Sequence, residues 1–175
     1  FFAAAEDSLV TFFPLYAIRT GMTEEASLAL LTVAALGAIA TQPLIGIAAD
    51  RMNRLNLLSG LVVATIGGYL VLPFVMPLVF AAGITLFLVV GLANGIFTLA
   101  MVLVGERFRG AELAGASAFT TAMWGTGALV GAPLSGAAMQ LWEPHGLIAA
   151  VLLIFLAYLP FPLAARIRAR KPVAE

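Results

Sequence analysis

Two adjacent carboxylates, Glu6 and Asp7, stand inside an otherwise apolar run, Phe1–Ile18. As a helix rising 1.5 Å per residue, that run places them roughly 16–21 Å from its far end. A charge held at such depth in lipid costs about 2.5–3.5 kcal/mol. The acids must face a wet cavity, find a partner or carry a proton. Carboxylates in such places mark ion pathways and proton relays. Asp7 shares a helical face with Thr11, and Ser8 is close by. Glu6 is turned about 100° away, so one acid is expected to line a cavity while the other meets a neighbouring helix. Further polar groups sit deep in apolar runs: Gln42, Asn94, Thr98, Thr120, Thr121 and Trp124. Glu6, Asp7, Thr11, Gln42, Asn94, Thr121 and Trp124 are the candidates for a substrate or proton pathway.

Other chemistries lack their residues. The 175-residue chain has no cysteine and one histidine, so thiolate catalysis, disulfides and His- or Cys-based metal sites are not expected. No serine lies in a G-x-S-x-G frame, and an enzyme is not expected. No cofactor is implied. Nine acids balance nine bases, which gives nucleic acid no electrostatic handle.

The elements that position these residues are membrane helices. The chain is 62% hydrophobic and 10% charged, with a mean hydropathy of +1.07. Soluble domains carry about a quarter charged residues, so most of this surface must face lipid. Runs of about 20 apolar residues read as spanning helices. Six are predicted: 1–18, 27–49, 55–73, 78–104, 113–141 and 146–165, followed by a basic tail over 166–175. They form a single domain. The runs are continuous, which argues against the alternation of a barrel strand. Trp142, at a span end, reads as an interfacial anchor.

Basic residues orient the spans. Arg51, Arg54, Arg107, Arg109, Arg166, Arg168, Arg170 and Lys171 fall on one side, and Arg19 alone on the other. The positive-inside rule predicts a cytoplasmic C-terminus. A shift of 90 residues lays Gly37-Ala38, Pro43-Leu44, Gly46 and Ala48 on Gly127-Ala128, Pro133-Leu134, Gly136 and Ala138. The two segments run in opposite directions through the membrane. Such inverted 3+3 repeats are common in secondary transporters.

The segment Gly46-Ile47-Ala48-Ala49-Asp50-Arg51-Met52-Asn53-Arg54 resembles the G-x-x-x-D-R-x-G-R loop of the major facilitator superfamily. It lies where that family has it, between the second and third helices of a six-helix half. Asn53 replaces the pattern's Gly, and a left-handed turn is expected there. Gly127, Gly131, Ala132, Pro133 and Gly136 are similar to the family's fifth-helix pattern, with Ala132 splitting the Gly-Pro pair of its antiporters. Gly105-Glu106-Arg107-Phe108-Arg109-Gly110 resembles the charged loop after its fourth or tenth helix.

The resemblance implies an all-α membrane protein, a six-transmembrane-helix bundle with a 3+3 inverted repeat, half of that fold. The abrupt start and basic tail lead us to expect a fragment, helices seven to twelve, with the N-terminal half of the same transporter as partner. Third and sixth helices are expected outside the cavity. The implied function is secondary active transport of a small molecule by rocker-switch alternating access in a plasma membrane (bacterial inner membrane), with H+ as a candidate coupling ion. A non-transporting six-span subunit or a channel-like protein is the alternative. The gate is expected at Gly46, Asp50, Arg51, Arg54, Glu106, Arg107 and Arg109. Asp50 is expected to accept hydrogen bonds at a neighbouring helix N-terminus. Arg51 and Arg54 are expected to pair across the seam between the halves. Gly127, Gly131, Pro133 and Gly136 are expected to serve packing and bending. The few polar groups suit a sugar, an organic acid, a drug or an amphiphile alike.

Overall fold

Backbone polar groups in an apolar run with no alternation are satisfied most completely within a helix. The computed structural model, which describes residues 1–170, is helical almost throughout and has no strand among the described residues. The helices are α1 (Phe2–Arg19), α2 (Glu24–Ala40), α3 (Gln42–Arg51), α4 (Arg54–Val75), α5 (Val79–Arg107), α6 (Gly110–Leu141), α7 (Gly146–Tyr158) and α8 (Pro160–Arg170). The first part of the expected basic tail, 166–170, continues α8, and Lys171 and the residues after it lie outside the described residues.

Two of the expected spans are each split in two. The second breaks at Thr41, between α2 and α3, two residues before Pro43. Proline has no N–H to give to the preceding turn. The Gln42 side chain spans the break by donating from Nε2 to the Ala38 carbonyl at 2.9 Å. The sixth breaks at Leu159, before Pro160. By contrast, α1, α4 and α6 run unbroken through Pro14, Pro73 and Pro133. The bend expected at Pro133 therefore does not interrupt its helix.

Turn chemistry fixes the helix ends. After α1 the Met22 N–H reaches the Ala17 carbonyl at 3.0 Å, a closing bond that needs a left-handed residue between them. Gly21, at φ +96°, supplies it. Thr23 caps α2 by accepting from the Ala26 N–H at 3.2 Å, and Glu24 and Glu25 fill the first turn, where acids favour the helix dipole.

The α3–α4 junction departs from expectation. Asn53 has φ −62° and ψ 120°, an extended backbone and not a left-handed one. Its Oδ1 accepts from the N–H groups of Leu55 and Asn56 at 3.1 and 3.2 Å. Asn53 is thus the N-cap of α4, which takes over the role expected of Asp50. Asp50 is exposed in the last turn of α3. The cap makes a prediction. Asn53→Ala should lower stability by about 1 kcal/mol, whereas Asn53→Gly should cost only a few tenths. Thermal unfolding followed by size-exclusion chromatography reads both. A gain in stability with Gly would mean that the turn, not the cap, governs this position.

Six rods result: α1, α2–α3, α4, α5, α6 and α7–α8. The main packing falls into two sets of pairs, α2 on α5 with α1 on α6, and α4 on α5 with α1 on α7. Exchanging the first three rods with the last three turns each first-named pair into the second. The inverted repeat is therefore written in the packing as well as in the sequence. Small residues allow the close approach. A methyl added at Gly37 would strike the backbone of Phe87, and one at Gly131 the backbone of Ala4. Gly127 lies against Ala3 and Ala4, and Gly136 against the Phe12 ring.

Four rods are long and apolar enough to cross a membrane: Glu24–Arg51, Arg54–Val75, Val79–Arg107 and Gly146–Ile167. The other two, α1 and α6, are the more polar pair and pack on each other. Glu6, Asp7 and Arg19 interrupt α1, while Gly, Ala, Ser and Thr dilute α6. Of the 32 residues of α6 only Gly131, Ser135 and Met139 are buried.

Candidate functional site

The register of α1 separates its two acids. Glu6 lines a cavity of about 290 Å³, and Asp7 does not. The Asp7 Oδ2 atom is buried without a hydrogen-bond partner. Most of the cavity wall comes from α1, α2 and α5, through Ala5, Leu9, Ala34, Ala38, Val90 and Ala93 among others. Asn94 stands beside Glu6 as the one amide in the lining. Small alanines on three helices leave the space that larger side chains would fill.

Aromatic rings complete the lining, and sequence reasoning missed them. Phe2, Tyr69 and Phe155 all face the cavity. Tyr69 belongs to α4 and Phe155 to α7, the third and sixth spans, which were expected to stand outside. Their rings stack at 5.8 Å and form the back wall. Phe2 joins Phe97 at 5.6 Å and Trp124 at 5.4 Å, and Phe97 meets Trp124 at 4.9 Å. Trp124 thus reaches the cavity through Phe2. Which rings converge on the cavity is decided by helix rotation. Tyr69 also borders a second space, about 390 Å³, between α4 and α7 beside Trp142 and His145.

A polar chain extends from the cavity. Asn94 Nδ2 donates to the Val90 carbonyl at 3.1 Å. The Thr98 hydroxyl donates to Gln42 Oε1 at 2.8 Å, with the Asn94 carbonyl as a second acceptor at 3.2 Å. Gln42 therefore connects the broken α2–α3 rod to α5, and through it to Asn94. Besides Asp7, two expected pathway residues are not gathered here. Thr11 is exposed on α1. Thr121, also exposed, donates to the Ser117 carbonyl of its own helix at 3.1 Å, a common fate for a hydroxyl in a helix.

Charges cluster at the two ends. At one, Arg54 pairs with Glu106, joining the start of α4 to the end of α5. The pair was expected across a seam between halves, but the structure forms it inside this bundle. Asp50, Arg51, Arg107 and Arg109 make no ion pair among the described residues. Gly46, placed in the same group, has open space beside it. At the other end Arg19 donates to Glu143 at 2.6 Å, a pair not anticipated from residue order. Both pairs join one repeat to the other. Each is partly exposed, so each contributes about 0–1 kcal/mol. Arg54→Glu should lower stability by an amount of that order, and Arg54→Glu with Glu106→Arg should restore it. Comparing the melting temperatures of the single and double variants checks this. Failure of the exchange to restore stability would show that the two side chains act separately.

A helical bundle with an inverted repeat, apolar rods and a lined cavity defines a multi-pass integral membrane protein of the transporter type. The model of the Major Facilitator Superfamily matches residues 1–175, and the chain belongs to that family. It is a transporter of the major facilitator type, and its bundle has the form of one half of that fold. No curated protein and no solved structure matches the chain.

Proposed function

We propose that this bundle is one six-helix half of a secondary active transporter that moves a small molecule by alternating access, with Glu6 carrying the coupled proton. The observation that supports the reading is the cavity between α1, α2 and α5, with one carboxylate and one amide in an otherwise apolar and aromatic lining. The inverted repeat relates α1 to α5 and α4 to α7 within that lining, while α2 contributes without a counterpart from α6, and sites at such repeat interfaces serve alternating access in secondary transporters. All six rods cross the bilayer in this reading. The polar α1 and α6 do so because they bury their polar sides against each other and against the second half. The end carrying Arg54 is cytoplasmic, by the bias of the basic residues. Cargo binding and protonation of Glu6 favour different arrangements of the walls, and that difference couples the two.

Membrane vesicles energised with an artificial proton gradient test the proposal. They are offered a panel of radiolabelled sugars, organic acids, organic cations and amphiphiles. At least one compound should accumulate against its own gradient, and a protonophore should abolish that accumulation. Downhill, protonophore-insensitive entry of every compound that enters would replace the coupled carrier by a uniporter. No specific entry at all would favour a non-transporting subunit.

A further inference from the structure

The chemistry of the cavity selects among cargo classes, and we infer that the bundle takes a lipophilic monovalent cation whose charge rests beside Glu6 and whose apolar body lies against Phe2, Tyr69 and Phe155. This rests on the proposed transport through that cavity and narrows its substrate.

Charge complementarity carries the inference. Glu6 is the one carboxylate in the lining, and no Lys, Arg or His is present to face an anion. The nearest ionisable neighbour along the chain is Asp7, also acidic. Every arginine within residues 1–170 lies at or near the end of a rod or in a loop: Arg19, Arg51, Arg54, Arg107, Arg109, Arg166, Arg168 and Arg170. An anionic cargo would therefore sit beside one acid, close to another, with no base at the same depth. Juxtaposed like charges are strongly disfavoured where water is scarce. A sugar would find Glu6 and Asn94 and little else, with most of its hydroxyls against alanine, leucine and phenylalanine. Unpaired polar groups of that kind are costly to bury.

A cation meets the opposite situation. Its charge is balanced by Glu6, and three aromatic rings offer negative faces or apolar contact. Asn94 is partly occupied with Val90, which leaves its side-chain oxygen available to a donor on the cargo. The aliphatic lining accepts the remainder. The volume of about 290 Å³ suits a body of roughly one ring and a small ammonium head.

The experiment uses the whole protein in proteoliposomes and benzyltrimethylammonium, a permanently charged probe that does not titrate. Benzylsulfonate reverses the charge on a similar frame, and neopentylbenzene removes it. The labelled cation should bind saturably, and either analogue should compete at least about tenfold less well. Glu6→Gln should weaken cation binding about thirtyfold or more. Phe2→Leu should weaken it about three- to thirtyfold through loss of the ring face, and Phe2→Tyr should largely restore it. A cation that does not bind saturably, an analogue that competes equally, or unchanged affinity in Glu6→Gln would overturn the inference. Accessibility of the cavity from both membrane faces, measured separately by thiol labelling, keeps the two readings apart. Two-sided access without cation binding sinks the cargo class alone. Cation binding without two-sided access sinks the transport reading alone.

Discussion

Glu6→Gln should abolish gradient-driven accumulation while leaving exchange of cargo across the membrane measurable at saturating concentration. The amide keeps the size and the hydrogen-bonding frame of the carboxylic acid, but it can no longer take up and release a proton. A gradient of one pH unit supports about tenfold accumulation when one proton moves with or against one cargo molecule. The variant should bring that ratio to about one. Asp7→Asn is the internal control. Asp7 does not line the cavity, and its Oδ2 is buried without a partner. Replacing it changes no group of the cavity lining and should leave the accumulation ratio near its wild-type value. Vesicle uptake with and without an imposed gradient measures both. If Asp7→Asn uncouples and Glu6→Gln does not, the carrier has been assigned to the wrong neighbour.

The second large effect concerns the seams of the bundle. Gly131→Leu and Gly37→Leu should each destabilise the fold by about 1–3 kcal/mol or more, the usual cost of overpacking. At both positions the added atoms meet backbone, Ala4 for Gly131 and Phe87 for Gly37, so no side chain can swing aside. The helices must separate instead. Gly60→Ala is the contrast. Nothing lies within 4 Å of a methyl built there, and Ala in a helix gains about 0.5–1 kcal/mol over Gly. Opposite signs in melting temperature are therefore expected from substitutions of the same residue type. A loss of stability at Gly60 equal to that at Gly131 would show that glycine content, and not the seam, matters. Because Gly131 packs against the helix that carries Glu6, its substitution should also shift the cavity wall.

Much of this arrangement could be read from residue order. Long apolar runs separated by short polar breaks leave few choices of element, and the repeat of Gly37-Ala38 in Gly127-Ala128 pointed to a symmetry that the packing of α2 on α5 and α1 on α6 displays. Glu6 and Asn94 stood out because polar atoms are costly at that depth, and the structure brings them to one cavity. Helix rotation was less legible. Adjacent acids on a helix differ by about 100°, and only contacts with other helices decide which one faces inward. The same holds for Tyr69 and Phe155. Apolar residues cover all sides of α4 and α7, so no polar stripe betrays the face they present. Asn53 misled for a local reason. A residue that tolerates a left-handed turn is also a strong N-cap, and the start of α4 uses the second property. Arg54 and Glu106 were placed at one end correctly, but the sequence could not tell a pair within the bundle from a pair across halves.

Alternating access to the Glu6 cavity is most directly tested by sided thiol labelling. The sequence has no cysteine, so Ala38→Cys and Ala93→Cys place a single new thiol on the cavity wall. Val63→Cys, on the exposed side of α4, serves as a control. An impermeant maleimide is applied to right-side-out and to inside-out vesicles, and the vesicles are checked for retention of an imposed ion gradient. Both cavity thiols should react from either face while the gradient holds and the Val63→Cys control stays unlabelled. Reaction from one face only, or reaction from both with immediate collapse of the gradient, would contradict alternating access.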